Sequence, residues 1–460
     1  MTIWQPRLER RPGPRYLAIA DALRDDVEAG RLAPGARLPP QRTLAYSLGV
    51  TLGTVSRAYL EAARRGLVRG EVGRGTFIAA RLAEDGFGQQ QVEPGVIDLS
   101  LNRPLLGGTA AELARTLAEL ARENDLAQYL AYQSELGLLA QREAASTWLE
   151  RSGVEAGAER IAITCGAQHG LEVALAACAQ PGDTLLVEGL TFPGIKPLAA
   201  RLGVTLKAVA SDRGGLLPDA LAAACREVGP KALFTMPTLH NPTTATLSAD
   251  RRSAIAGIAR RHDLTIIEDD IYGFLVEAAP APLAALAPER VIYVTSLSKC
   301  MAAGLRVGYV ACPAALVARL AAAVRSSVWM APPLMGEIAA RWIRDGTAVR
   351  LSRARTDEAR RRQALAAGFL AGHAVETHPA SFHLWLQLPE PWRWSDFVAA
   401  AEARGVRVTP PDLFITGRGG APHAVRLCLT AVESEARLKG ALECLASLLG
   451  AAPEARLSVF

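Results

Sequence analysis

The apolar positions of the chain change their period once. Over the first eighty residues they recur at helical spacing. In RYLAIADALRDDVEAGRL, Leu17, Ala20, Leu23 and Val27 predict one amphipathic helix. PGARLPPQ then interrupts the pattern with a Pro-Gly turn and a proline pair. QRTLAYSLGV predicts a short second helix ending near Gly49. TLGTVSRAYLEAARRGLV predicts a third, capped by Thr51 or Thr54, with Val55, Tyr59 and Ala62 facing inward. RGEVGRGTFIAA, with Gly70, Gly73 and Gly75 among β-prone pieces, predicts a two-stranded hairpin.

RLAEDGFGQQQVEPG has no period and reads as a flexible linker over residues 81–95. From Val96 onward, short β-rich runs alternate with Ala/Leu-rich helical ones. The β-rich runs are RIAIT, DTLLVEG, TLKAVA, KALFTMP, LTIIEDD, VIYVTS and RVGYVAC. Continuous apolar strands alternating with helices predict an α/β fold whose parallel sheet is covered on both faces. Ligands of such sheets bind at the carboxyl ends of the strands, so the polar residues to inspect are those ending each run.

Composition sharpens the division. The 460 residues suffice for two or three domains with sizeable cores. Residues 1–80 hold thirteen arginines against seven acidic residues, a surplus of six within a net charge of +5, so the remainder is near neutral. A small basic module on a neutral body points to an anionic partner. The first twenty residues carry Arg7, Arg10, Arg11 and Arg15 without an apolar core, and no run of 18 apolar residues occurs. A secretory signal and a membrane span are therefore not expected. The seven cysteines are scattered without CxxC pairs, which suits reduced thiols in a cytoplasm rather than a zinc or disulfide framework.

The strand ends gather an unusual set. RIAIT runs into CGAQH, where free N–H groups around Gly166, Ala167 and Gln168 would hold a phosphate. KALFTMP leads to Asn241-Pro242, LTIIE ends in Asp269 and Asp270 with Tyr272 just beyond, and VIYVT ends in Ser296, Ser298 and Lys299. Lys299 is one of only five lysines in a chain whose basic residues are overwhelmingly arginine. Singly, each group has a structural explanation: a cap, a turn, a solvated carboxylate. Together they suit pyridoxal 5'-phosphate (PLP). Its aldehyde takes a lysine amine, its ring nitrogen a buried carboxylate, its O3' polar partners, and its phosphate serines, an arginine and a helix start.

SLSKCMAAGLRVGY resembles the S-x-S-K…G-x-R-x-G signature of fold-type I aminotransferases of the aspartate aminotransferase superfamily, and the resemblance extends over residues 96–460. It implies a PLP-dependent transferase fold of mostly parallel sheet flanked by helices. The large subdomain would span about residues 125–330, with a smaller α+β subdomain from the remaining parts. It also implies roles. Lys299 would carry the cofactor as a Schiff base, Ser296, Ser298 and Arg306 would hold the phosphate, and Asp269 would face the pyridine nitrogen. Tyr272 and Asn241 would meet O3', Phe192 would stack on the ring, and Tyr132 would reach the phosphate of a partner subunit, hence a homodimer. Arg426, in AVRLCLTA, would grip a substrate α-carboxylate with a fork that lysine cannot reproduce. Three departures stand out: NPTT puts Thr244 where glycine is usual, TCGAQH lacks the commoner serine, and Phe192 replaces a frequent tyrosine.

GRLAPGARLPPQRTLAYSLGVTLGTVSRAYLEAARRGLVRGEVGRGTFI resembles the GntR-type winged helix-turn-helix, here residues 12–80. The resemblance implies double-stranded DNA as partner. The third helix would offer Thr51, Gly53, Thr54, Ser56 and Arg57 to the major groove, Arg42 would meet a phosphate or a guanine, and Gly73 and Arg74 would sit at the wing tip. LPPQR and Leu52 depart from the usual residues, so base preference is expected to differ.

A GntR-type module fused to an aminotransferase-like body resembles the MocR subfamily. Three functions remain open at this point. One is a cytoplasmic transcriptional regulator that senses PLP or an amino compound through Lys299. Another is a working α-amino acid aminotransferase carrying a DNA-binding arm. The third is a body whose cofactor site serves folding alone. The linker, at most roughly 50 Å fully extended, leaves a swapped or unswapped dimer undecided.

Overall fold

Three helices open the chain: α1 (Arg15–Glu28), α2 (Gln41–Leu48) and α3 (Leu52–Arg64). Ile19, Leu23, Leu44, Val55, Ala58, Tyr59 and Ala62 close on one another to form their core. The inner face of α1 is centred on Ile19 and Leu23, an i,i+4 pair, so Leu17 is only half-buried. Gly49 ends α2 in the left-handed region, at φ 61°. Thr51, rather than Thr54, caps α3: its hydroxyl accepts the Thr54 N–H at 3.2 Å. Strands β1 (Val68–Glu71) and β2 (Gly75–Ile78) pair antiparallel. The PGARLPP segment does more than turn. Leu38 N–H donates to Thr76 O at 2.8 Å and Ile78 N–H to Ala36 O at 2.8 Å, so this segment covers the free edge of β2.

The computed structural model describes residues 4–6, 8, 14–29, 31–32, 35–64, 67–71, 75–78, 95–123, 126–417 and 420–451. Gly73, Arg74 and most of the linker lie outside the described residues. So do the side chains of Glu28, Arg64, Arg69 and Glu71.

The body is built on strands β3 (Ile97–Asp98), β4 (Ile161–Thr164), β5 (Thr184–Glu188) and β6 (Thr205–Val209). A small hairpin of β7 (Ser211–Asp212) and β8 (Gly215–Leu216) follows, and then β9 (Ala232–Thr235), β10 (Thr265–Asp269), β11 (Val291–Ser296) and β12 (Gly308–Ala311). Seven of these form one sheet in the order β4-β12-β11-β10-β9-β5-β6. The expected parallel arrangement holds except at β12, which runs antiparallel to both neighbours. The connection from Leu297 to Val307 contains no crossover helix to carry the chain back to the other end of the sheet. Within the strands side chains alternate. Ile161, Ile163, Ile266, Val291 and Tyr293 enter one core. Ala162, Ile267, Ile292 and Val294 enter the other, beneath helix Ala167–Cys178.

A second body of β13 (Val375–Glu376), β14 (His383–Gln387) and β16 (Ala424–Cys428) forms an antiparallel sheet, while β15 (Val406–Arg407) pairs in parallel with β3. Helices Thr347–Phe369, Trp394–Ala403 and Glu435–Leu449 contribute Ala366, Phe397, Leu438, Leu442 and Leu445 to its separate core. Segment 97–103, which starts with β3, thus belongs to this second body although it precedes the large sheet in sequence. Among the described residues, no helix is long and apolar enough to cross a membrane.

Candidate functional site

Because β12 is reversed, its start lies at the rim where the other strands end. Gly308 pairs with Thr164 on one side and Ser296 on the other, and Asp269 pairs with Val294. This register brings the ends of β4, β10 and β11 and the start of β12 together, and with them most of the residues singled out above.

The phosphate-type cradle is closely fitted. Gly166 takes φ 84° at the start of helix Ala167–Cys178, whose first turn has no side-chain cap, so the N–H groups at Ala167 and Gln168 have no intrahelical partner. A Cβ on Gly166 would come within 2.5 Å of Arg306 Nη2, and one on Gly308 within 2.7 Å of the Gly166 carbonyl carbon. Only glycines allow these three segments to approach so closely. Arg306, itself at φ 51°, donates from Nη2 to Cys165 O at 2.9 Å, and its exposed guanidinium lies 3.5 Å from Ser298 Oγ. The Ser298 N–H donates to Ser296 Oγ at 3.1 Å. The Gln168 side chain is not free for a ligand, since it donates to Gly194 O at 2.9 Å. Phe192 is half-buried against the core beside it.

Deeper in the crevice, Asp269 is 1% exposed and its Oδ1 has no hydrogen-bond partner. Burial, reinforced by the neighbouring carboxylate of Asp270, pushes its pKa up to about 8, against the pull of the Ile271 N–H and the Lys299 charge. Lys299 shows the opposite effect. Desolvation first, then the positive charges of Arg426 and Arg306, bring its amine down to about 8, opposed by Cys428 and Asp269. Its Nζ donates to the main-chain oxygen of Asn102. Tyr272, 2% exposed, accepts a 2.8 Å hydrogen bond from Asn102 Nδ2.

Arg426 enters from the second body on β16. Its Nη1 donates to Asn241 Oδ1 at 2.8 Å, and its Nη2 to Ser100 O at 2.6 Å and Thr409 Oγ1 at 3.2 Å. The guanidinium lies 5.0 Å over the Phe414 ring, while Nε has no partner. Asn241 is thereby tied to Arg426. Its loop keeps the left-handed turn that glycine usually supplies: Thr244 sits at φ 60° with its N–H on His240 O. Tyr132 stands apart from the crevice, 82% exposed and against Trp329 at 5.9 Å between ring centroids.

Sequence reading missed Ser100, Asn102, His383 and Thr409. They reach the crevice from the second body, and 281 positions separate Asn102 from its neighbour His383. Of these, only Asn102 had a local cue, a lone amide in SLNRP.

In the N-terminal module, Thr51 is exposed at the cap of α3, Gly53 and Arg57 are exposed on its first turns, and Arg42 is exposed on α2. Thr54 is tied to Thr51 (2.9 Å between hydroxyls), and Ser56 donates to Gln41 Oε1 at 2.6 Å, fixing α3 against α2.

The comparisons with known proteins agree with both halves. The family described as aminotransferase class I and II matches residues 94–445, and the bacterial regulatory proteins of the gntR family match residues 15–78. The HTH-type transcriptional regulator YdeF of Bacillus subtilis is 31% identical over 454 residues, covering 97% of this chain and 96% of that protein. The chain belongs to the MocR-type regulators of the GntR family. A further relative is the HTH-type pyridoxine biosynthesis transcriptional regulator PdxR of Corynebacterium glutamicum. It is 31% identical over 305 residues, 64% of this chain and 65% of that one. An archaeal alanine:glyoxylate aminotransferase matches the MocR body with a TM-score of 0.71 and 25% identity, covering 77% of this chain and 91% of that one. The cofactor of such a body is PLP, and the N-terminal module binds DNA.

The residues present fit that cofactor. The orphaned Asp269 oxygen can take a cationic nitrogen, the Gly166–Arg306–Gly308 approach leaves an uncapped helix start beside a guanidinium, and the lowered Lys299 amine feels the charges of both Asp269 and Arg306.

Proposed function

We propose that this protein regulates transcription by sensing PLP, or an amino compound reacting with it, at the Lys299 crevice. The observation that carries the reading is that one strap holds both cations of the site through main-chain carbonyls. Arg426 donates to Ser100 O and Lys299 to Asn102 O. Residues 97–103 lead back through the linker to the DNA-binding module.

When bound, the cofactor supplies an electrophilic aldehyde and an electron-withdrawing protonated ring. Lys299 provides the amine, already close to half deprotonated near pH 8. Asp269 would pair with the ring nitrogen and hold a proton there, which would relieve the cost of its burial. Ser296, Ser298, Arg306 and the Gly166–Gln168 helix start would hold the phosphate. Tyr272 and Asn241 would meet O3' and Phe192 would cover the ring. Arg426 takes the carboxylate of an effector. That exchange withdraws the Ser100 contact, while engagement of Lys299 withdraws the Asn102 contact. Loading the site therefore changes what holds the strap, and DNA affinity follows if the two states differ in it. PdxR, named for pyridoxine biosynthesis, supports PLP itself as a ligand of regulatory consequence. Exposed Leu130, Tyr132 and Trp329 form an apolar patch suited to a homodimer, as two half-sites on an operator would require.

A second reading is favoured by the same residues. Lys299, Asp269, Tyr272 and Arg426 also suffice for transamination of an α-amino acid, and conversion of PLP to pyridoxamine phosphate in an amino-acid screen tests it. The regulatory reading is tested by mobility shift on the DNA upstream of the protein's own gene, with and without PLP and amino acids. Affinity is expected to change at least about fivefold and to stop responding in Lys299→Ala. Equal affinity under all conditions contradicts it.

A further inference from the structure

Asn102 is placed between the amine and the phenol of the site. Its main-chain oxygen accepts from Lys299 Nζ. Its amide Nδ2 lies 2.8 Å from Tyr272 Oη and 3.0 Å from His383 Nδ1. The amide orientation is set by its surroundings. Burial, then Arg426 and Lys299, hold His383 down to about 3, so its ring is neutral. With His383 Nε2 directed at His240 O at 3.3 Å, the proton sits on Nε2 and Nδ1 is left as an acceptor. The two amide hydrogens of Asn102 therefore go to His383 Nδ1 and Tyr272 Oη, and the tyrosine hydrogen is left to point elsewhere. The opposite end of the amide, Oδ1, is buried without a partner.

We infer that Asn102 is a positioning residue for the cofactor site. It accommodates the Tyr272 oxygen as an acceptor, so that the phenol is committed as a donor toward O3' of the cofactor. The inference rests on the PLP reading above and adds to it a residue that no motif marks. The arrangement excludes the alternative in which Tyr272 spends its hydrogen on a neighbouring acceptor: Asn102 offers it a donor, and His383 Nδ1 is occupied by the same amide. The ring of Tyr272 is held independently, edge-on to Phe382 at 6.3 Å between centroids, so the carboxamide governs where the hydrogen points rather than where the ring lies.

The test is a pH titration of the visible absorbance of PLP-loaded protein in four forms: wild type, Asn102→Ala, Tyr272→Phe and the double variant. A donor on O3' stabilises its phenolate form, so losing that donor raises the apparent pKa of the chromophore. Asn102→Ala is expected to raise it by about one pH unit in the wild-type background and to leave it unchanged in the Tyr272→Phe background, because the effect passes through Tyr272. Asn102→Asp keeps the shape while replacing the donor with an acceptor that draws the phenol hydrogen to itself. Its charge raises the pKa in either background, so the part that passes through Tyr272 is read as the excess shift over the Tyr272→Phe background, and this variant serves should the alanine variant fail to fold. No shift in the wild-type background, or the same shift in both backgrounds, overturns the inference. A wild type that stays colourless with PLP overturns the cofactor reading beneath it, and the inference falls with it.

Discussion

At the scale of single residues, the site is made of groups whose burial costs stability. Asp269 is the clearest case. Its carboxyl is raised to about 8 from an ordinary value near 4, mainly by burial. The folded chain without cofactor thus binds more protons than the unfolded chain between these values, and the contribution of Asp269 to stability, full below pH 4, is lost as pH rises toward 8. Glu188 and Glu268, both raised to about 7 by burial, titrate in the same window. A comparison with Asp269→Asn isolates the effect. Without cofactor at pH 8, Asp269→Asn is expected to melt a few degrees higher than wild type, with the difference vanishing near pH 4, while its PLP affinity falls. Thermal melts at the two pH values check this. Lys299 makes a separate prediction. Between pH 6 and 8 the observed rate of PLP attachment is expected to rise about tenfold per unit and then level off, following its free amine near pH 8. Stopped-flow absorbance measures it. Both residues were visible in sequence as a carboxylate and an amine ending successive strands. Their perturbed protonation was not, because burial is set by residues far away in the chain.

At the scale of elements, the sheet was legible and its exception was not. Seven β-rich runs gave the seven strands, most plainly at β4, β9, β11 and β12, where burial on both faces leaves a continuous hydrophobic signature. Strand direction leaves no such mark, so the reversal of β12 appeared only with the register. The glycine triangle around Arg306 depends on that reversal. Gly166→Ala is expected to weaken PLP binding at least about tenfold, since the positive φ strains any residue with a Cβ and that Cβ would push the Arg306 guanidinium out of the cradle. Fluorescence titration with PLP, and with pyridoxal lacking the phosphate as control, should show the loss for the phosphorylated form alone. On the DNA-binding module, Arg42 and Arg57 are exposed side chains on α2 and α3. Arg42→Ala is expected to reduce operator affinity and to lower the slope of log K against log salt by about one, the signature of one phosphate contact. The cover on the free edge of β2 was hidden in sequence because prolines read as a break, while its hydrogen bonds come from Ala36 and Leu38 between them.

At the scale of the whole molecule, the proposed regulation couples a crevice built by two bodies to a DNA-binding module through the strap that both site cations hold. The sequence showed the two halves, because each carries its own motif. It did not show the strap: Ser100 and Asn102 hold the two cations through main-chain oxygens, which leave no residue signature. The claim beneath all of this is the identity of the reactive amine, and the chain offers a real competitor. Lys196 is half-buried and also lowered to about 8 by desolvation, but its Nζ is taken by Leu413 O and Ile415 O at 2.6 and 2.7 Å. Borohydride reduction of the PLP-incubated protein, followed by peptide mass mapping, separates them. The pyridoxyl label is expected on Lys299 alone; a label on Lys196, or none at all, contradicts the account.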